Sequence, residues 1–184
     1  MPSITLRPDG LHAEQGWSLT SGTLLDVIRD NNPATGATQD EEECNLIVTL
    51  QDLSDHLADP TLISVDSIKA SIIARGGREG ASTVAIRILS EPAGDILTQS
   101  SAETIDVFQT HTTSTIYSLT SVSAIDDVAI QVEPNEQGTD LVEVFLTVEY
   151  SEISGKVSIS DGKVSITSGK LTIWWGNWYL YTDD

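Results

Sequence analysis

A seven-residue motif repeats three times near the end of this 184-residue chain. It reads SGKVSIS from Ser154, DGKVSIT from Asp161 and SGKLTIW from Ser168. Each copy joins a two-residue turn signal to five residues that alternate between polar and apolar. Such turns are typical of β-hairpins, because Gly and its neighbour tolerate positive φ. With a last turn at Gly176-Asn177, the repeat predicts a four-stranded β-meander over residues 154–184.

The turns also fix the register of this meander. A two-residue turn at Asp161-Gly162 places Val157 opposite Ile166 and Ile159 opposite Val164. The whole segment then has nine apolar side chains on one face and mostly Lys, Ser and Thr on the other. A sheet this small cannot bury its apolar face by itself. We therefore expect it to pack on the chain's own core or on another subunit.

The predicted meander ends in aromatic residues, a residue class that often anchors protein interfaces. We expect an assembly surface here, formed by Trp174, Trp175, Trp178, Tyr179, Leu180 and Tyr181. A second interpretation is a sugar-binding platform, because Trp174 and the two tyrosines fall on the otherwise polar face. Its candidate residues are Trp174, Trp178, Tyr179 and Tyr181.

Charge separates the two parts of the chain. The formal net charge is −19. All of the excess negative charge lies in residues 1–153, because the charges of residues 154–184 sum to zero. Such a surface repels nucleic acid, so we expect no DNA or RNA partner. No apolar run reaches membrane-spanning length, and the N-terminus lacks the features of a secretion signal.

Residues 1–153 contain eight or more strand-like stretches separated by turn signals and no long helical pattern. This favours an all-β antiparallel sandwich of the jelly-roll type, followed by the meander as an appendage. The longest expected strands are Ile63–Arg75 and Leu141–Tyr150. Elsewhere we expect a turn at residues 8–10, a long surface loop at residues 30–43, and strands at residues 96–98, 104–109 and 112–119.

Nothing in the sequence predicts a cofactor or an enzyme. His12, His56 and His111 lie in three separate segments without the spacing of metal ligands. Cys44 is the sole cysteine, so there is no internal disulfide, and its apolar run indicates a buried side chain rather than a nucleophile. The acidic run at residues 40–43 is better explained as a solvated loop than as a Ca²⁺ site. A hydrolase with two converging carboxylates stays open as an alternative.

One arrangement of segments resembles a known class of domain. Thr5-Leu6-Arg7-Pro8 opens the chain, Gly16-Trp17 follows, and VEVFLTVEY from Val142 closes residues 4–150. This order resembles the small jelly-roll domains of tailed-phage virion proteins, which occur on head decorations and fibres. The resemblance implies a β-sandwich with a structural role, and it carries no functional residue.

Together these points predict a non-enzymatic structural component of a bacteriophage virion, most simply a capsid decoration or cement protein. Its partners would be the major capsid protein or neighbouring copies, in a homo-oligomer such as a trimer. It would be assembled in the host cytoplasm and reside in the virion. The alternative is a carbohydrate-binding module of a head or tail fibre. We expect two parts, a sandwich at 1–153 and the appendage at 154–184.

Overall fold

The structure is a computed structural model, in which the described residues form β-strands, two short α-helices and two 3₁₀ turns. It describes residues 1–19, 22–32, 34–41, 44–76, 82–105, 107–135, 138–153, 157–160 and 163–166. The strands are β1 (Ser3–Leu6), β2 (Pro8–Gln15), β3 (Trp17–Leu19), β4 (Ala37–Gln39), β5 (Asn45–Leu50), β6 (Ile63–Arg75), β7 (Ser82–Leu89), β8 (Ile96–Thr104), β9 (Gln109–Thr112), β10 (Ala129–Pro134), β11 (Asp140–Glu152), β12 (Val157–Ser160) and β13 (Lys163–Ile166). The helices are α1 (Leu24–Val27) and α2 (Val122–Asp126), and the 3₁₀ turns span Leu53–His56 and Pro60–Leu62.

Two antiparallel sheets form a sandwich. The first has the order β3-β4-β11-β6-β9, with β1 also paired to β11. The second has the order β2-β5-β10-β7-β8. From β5 onward the chain crosses repeatedly between the sheets, which gives a jelly-roll-like path. The predicted all-β sandwich is confirmed.

The core lies between the two sheets and is built from alternate residues of the long strands. On β6 these include Ile68, Ala70 and Ile72, and on β11 they include Val144 and Leu146. All five are 1% exposed or less. Burying a Leu or Ile side chain contributes roughly 1.5–3 kcal/mol, so these strands supply much of the drive to fold.

The opening and closing segments of the predicted domain are hydrogen-bonded neighbours. Ser3 pairs with Glu149 and Leu6 pairs with Leu146 along one edge of β11. Just beyond, the Arg7 guanidinium forms an ion pair with Glu143, whose side chain is only 5% exposed. The Arg7 Nη1 also donates to the Arg29 carbonyl oxygen at 3.0 Å. This contact ties β1, β11 and the segment after α1 together.

Two bulges interrupt the pairing of β6 with β11. One lies between Leu141 and Glu143, and the other between Glu149 and Tyr150. The first places both Leu141 and Val142 in the interior, at 0% exposure. It also leaves the Val144 N–H to donate to the Ile28 carbonyl oxygen at 2.9 Å. Strict alternation along this strand therefore holds only between the bulges.

Several expectations about individual elements are wrong. Residues 8–10 are not a turn but the start of β2, because Pro8 opens an edge strand and Gly10 approaches Thr49 too closely for a side chain. The predicted loop at residues 30–43 contains β4, whose Ala37 and Gln39 are buried between β3 and β11. Its three residues are too few to show a strand pattern.

The region from residue 96 to residue 119 also differs from its prediction. Strand β8 runs without a break from Ile96 to Thr104, because pairing with β7 overrides the weak strand preference of Gln99, Ser100 and Ser101. It ends where the strand expected at residues 104–109 would begin. Strand β9 ends at Thr112, and residues 113–119 are irregular apart from a bridge between Ile116 and Ile68.

The first hairpin of the C-terminal repeat has the predicted register. Strands β12 and β13 pair antiparallel, with Val157 opposite Ile166 and Ile159 opposite Val164. The later strands of the predicted meander lie outside the described residues. Neither described helix has the length or apolar character that crossing a membrane requires.

His111 is the histidine that the fold buries. It lies opposite Ile72 on β9, with 8% of its surface exposed. Its Nε2 is buried and has no hydrogen-bond partner among the described residues. Burial lowers the pKa of His111 because desolvation disfavours the imidazolium. His12 and His56 are exposed.

This burial makes stability depend on pH. An unfolded histidine has a pKa of about 6.5, and the folded value is lower, so the unfolded chain binds the proton first. The free energy of unfolding should therefore decrease as the pH falls below about 6.5. We expect His111→Leu to flatten this part of the curve in urea titrations at several pH values, whereas His12→Leu keeps it. An equal slope in wild type and His111→Leu would contradict the assignment.

Candidate functional site

The outer face of the first sheet is polar where the first half of β6 pairs with the second half of β11. Cross-strand pairs place Ser67 beside Glu149 and Lys69 beside Thr147. These side chains alternate with the buried Ile68, Leu146 and Val148, so they lie on the outer side of the sheet, where Ser67 is itself covered, at 4% exposure. The neighbouring β1 continues the same rows, because Ser3 pairs with Glu149 and Thr5 with Thr147.

An irregular segment extends this face beyond β6. The Thr113 N–H donates to the Ala70 carbonyl oxygen at 3.0 Å, and Ile116 and Ile68 exchange two backbone hydrogen bonds of 2.9 and 3.0 Å. Ile68 is buried, and Ile116 packs against the core beside it. Thr115 and Tyr117 therefore lie on the outward side.

These elements enclose a shallow depression, called the Tyr117 depression below. Its volume is about 100 Å³. Pockets that enclose a small molecule measure roughly 300–1,000 Å³, so this one would hold part of a ligand against an open surface. The residues that line it are Ser67, Lys69, Thr115, Tyr117, Thr147 and Glu149.

Tyr117 is the most exposed aromatic side chain in the described part of the chain, at 72%. An isolated exposed apolar group needs no functional explanation. Here, however, the phenol ring borders hydroxyl, ammonium and carboxylate groups. The combination offers an apolar ring face together with hydrogen-bonding groups in one place.

The charged groups of the depression balance one another. The Ser67 hydroxyl donates to Glu149 Oε2 at 2.8 Å, which orients that carboxylate. Among the described residues, the ion pairs are Arg7–Glu143, Arg75–Asp140 and Arg87–Glu133. The Lys69 ammonium therefore keeps its three N–H donors for solvent or a ligand.

The lining limits the chemistry of the site. Of the described residues that line the depression, Glu149 alone carries a carboxylate. Two-carboxylate glycoside hydrolysis needs a second acid within about 5–10 Å on the other side of the scissile bond. The described residues also contain no group of three or more His, Cys, Asp or Glu side chains placed to hold a metal ion.

The site that the sequence predicts at the C-terminus stays a prediction. The interface residues Trp174, Trp175, Trp178, Tyr179, Leu180 and Tyr181 lie outside the described residues. The three histidines lie apart, on β2, the first 3₁₀ turn and β9. Of the acidic run, Asp40 and Glu41 are described, and Glu42 and Glu43 are not.

The sequence contained part of the signal for the Tyr117 depression. Alternation along β6 and β11 places Ser67 and Lys69 on one outer row and Thr147 and Glu149 on the other. The sequence does not show the β6–β11 pairing that brings these rows together, or the bridge that places Tyr117 beside them. The bridge at Ile116 lies in a segment without regular strand geometry, so no pattern predicts which side of it faces outward.

Comparison with known proteins gives loose structural likenesses. No family model and no curated protein matches the chain. Among solved structures, the C-terminal CBM6 of a laminarinase from Zobellia galactanivorans has a TM-score of 0.44 and 6% identity, covering 80% of this chain and 98% of that one. A carbohydrate-binding module from Cellvibrio mixtus lichenase 5A has a TM-score of 0.43 and 10% identity, covering 79% and 95%.

A third likeness is to one part of a larger enzyme. An arabinose-bound α-L-arabinofuranosidase has a TM-score of 0.45 and 12% identity, covering 79% of this chain and 25% of that one. Structural neighbours of this chain thus include carbohydrate-binding β-sandwich domains. Likenesses this distant say nothing about what this chain binds.

Cys44 is a buried side chain, as the sequence predicts. It is 4% exposed. Burial, with Asp40 and Glu41 nearby, raises the pKa of its thiol to about 12. Because the thiolate is the reactive form, Cys44 should not react with an aromatic disulfide reagent at pH 8 in the native protein. It should react fully once urea unfolds the chain. Fast labelling of native protein would contradict this burial.

Proposed function

We propose that this protein is a non-enzymatic carbohydrate-binding module that holds a neutral sugar at the Tyr117 depression. One observation carries the proposal: an exposed aromatic ring lies beside hydrogen-bonding groups whose charges cancel. A pyranose ring has an apolar C–H face and a rim of hydroxyls. The face would stack on Tyr117, and the rim would meet Lys69 and Glu149.

Each lining group has a role in this account. Lys69 donates hydrogen bonds to hydroxyl oxygens, and Glu149 accepts them from hydroxyl protons. Hydrogen bonds that involve a charged group contribute about 1.5–3 kcal/mol each. The hydroxyls of Thr115 and Thr147 are free to donate or accept. Ser67 acts on Glu149, holding one carboxylate oxygen and leaving the other for the ligand.

Other ligand classes fit less well. A polyanion such as nucleic acid would meet one lysine on a chain of net charge −19. An apolar ligand would leave Lys69 and Glu149 without partners, which costs binding energy. A catalytic role would need a second acid in the depression. A neutral ligand rich in hydroxyls matches the site best.

Binding should depend on the ring of Tyr117. We expect the wild-type chain to bind one or more neutral glycans on a glycan array. With such a glycan, Tyr117→Ala should weaken binding about fivefold, because losing an aromatic contact of roughly 1 kcal/mol changes Kd by about that factor. Tyr117→Phe keeps the ring and should bind within a few-fold of wild type. Titration calorimetry measures each variant.

The same titration separates the two proposed sugar sites. Trp174→Ala alters the C-terminal aromatic platform that the sequence suggests and should leave binding unchanged. If Trp174→Ala abolishes binding and Tyr117→Ala does not, the sugar site lies in the C-terminal segment. If wild type binds no glycan, the proposal is wrong.

A second candidate is a structural protein of a phage virion, which the sequence resemblance implies and for which the paired β12–β13 hairpin would be part of the docking element. A two-stranded sheet is at best marginally stable alone, so the hairpin needs a surface to cover it. In this candidate, residues 154–184 dock on the major capsid protein or a neighbouring copy, and the sandwich lies at the particle surface.

Truncation tests this second candidate. A chain ending at residue 153 should stay folded, with the circular dichroism of a β-sandwich, and should no longer bind the particle or higher-order assemblies. Insoluble protein would mean that residues 154–184 complete the sandwich core. Unchanged assembly by the truncated chain would exclude the C-terminal segment as the docking element.

A further inference from the structure

The second sheet ends in two edge strands that are protected very differently. Among the described residues, β2 ends the sheet on one side and β8 ends it on the other. An unprotected edge presents unpaired backbone N–H and C=O groups to any extended strand, including one from a second copy. Natural edges are usually protected by charge, proline or bulges.

Strand β2 carries all three kinds of protection. It begins at Pro8, its pairing with β5 is interrupted twice, and it includes the charged residues Asp9 and Glu14. Strand β8 is longer, at nine residues, and contains no Pro, Lys or Arg. Glu103 is its only charged residue, and its one irregularity lies near its start, opposite Ile88 and Leu89.

Exposed apolar side chains cluster at the two ends of this β8 edge. Ile96 and Leu97 are 54% and 37% exposed at one end, and Ile105 and Val107 are 42% and 63% exposed just past the other. They account for four of the nine large apolar side chains that the described structure exposes. A partner strand along β8 would lie beside both pairs and could remove part of this apolar surface from water.

We propose that β8 pairs antiparallel with β8 of a second copy, about a two-fold axis at Ser101. In this register Gln99 lies opposite Glu103 of the second copy, and Ser101 lies opposite Ser101. Directly opposite residues of antiparallel strands share one face of the sheet. The register therefore pairs amide with carboxylate twice. Leu97, the extra residue of the β8 bulge, and Ile105, whose carbonyl oxygen accepts from the Gly76 N–H, flank the paired segment.

A hydrogen bond within the chain orients the Gln99 side-chain amide for pairing with Glu103 of the second copy. The Gln99 Oε1 accepts a hydrogen bond from Arg87 Nε at 2.8 Å. The Gln99 amide therefore presents its N–H donors outward, where the Glu103 carboxylate of the second copy would accept them. The two Glu103 side chains fall on opposite sides of the axis, so two copies of this acidic chain meet where each carries little charge.

The proposed pairing joins two second sheets into one continuous ten-stranded sheet. The Tyr117 depression lies on the outer face of the first sheet, which this pairing does not extend. The dimer does not rest on the sugar-binding proposal. If both hold, it presents two sugar sites on one rigid body, and such a pair binds a multivalent glycan surface more tightly than one site alone.

Sedimentation velocity of the full chain at increasing concentration tests the pairing. We expect a monomer–dimer equilibrium in the wild type and a loss of dimer in Ser101→Lys, because two lysines would meet at the axis. The matched control is Gln15→Lys on the β2 edge, which is also exposed and makes the same charge change. It should dimerise like wild type. If general charge repulsion controlled dimerisation, both variants would dimerise more strongly than wild type, since both reduce the net negative charge.

A cross-link makes the test independent of how Ser101→Lys folds. Under mild oxidation Ser101→Cys should form a disulfide-linked dimer, whereas Gln15→Cys should not, and the buried Cys44 does not compete. Wild type that stays monomeric, or Ser101→Lys that still dimerises, would overturn the proposal.

Discussion

The pairing of β6 with β11 is the constraint on which the rest of the molecule depends. These strands are thirteen residues each and lie at the centre of the first sheet. Their inward residues form much of the core, and their outward residues form the Tyr117 depression. The bulges at Val142 and Asp66 limit where alternation holds, and Ser67, Lys69, Thr147 and Glu149 lie between them. The same backbone pairing therefore provides stability and arranges the polar groups that we propose bind sugar.

The fold class could be predicted from the sequence because strand alternation and turn residues are local signals. Strands β6 and β11 and the register of the β12–β13 hairpin follow from them directly. Strand β4 and the continuity of β8 could not be predicted, since pairing with distant strands decides both. The same limit applies to the site. The polar rows of β6 and β11 are visible in the sequence, but Tyr117 joins them through a single bridge between Ile116 and Ile68.

Charge links the three proposals. A chain of net charge −19 repels polyanions and copies of itself. Its contacts should therefore form where charge is low or balanced. The Tyr117 depression is lined by one ammonium and one carboxylate, and the β8 edge has one charged residue in nine. The C-terminal repeat is neutral in sequence. Each place where we propose an interaction is one where the acidic surface is interrupted.

Mapping the contact surface by nuclear magnetic resonance tests the central claim most directly. The probe is a neutral glycan that the wild-type chain binds on the array, titrated into ¹⁵N-labelled full-length protein. We predict that the largest amide shift changes fall on residues 67–69, 115–117 and 147–149, three segments that meet only at the Tyr117 depression. Shift changes confined to the C-terminal segment, or to loops elsewhere on the sandwich, would contradict the account.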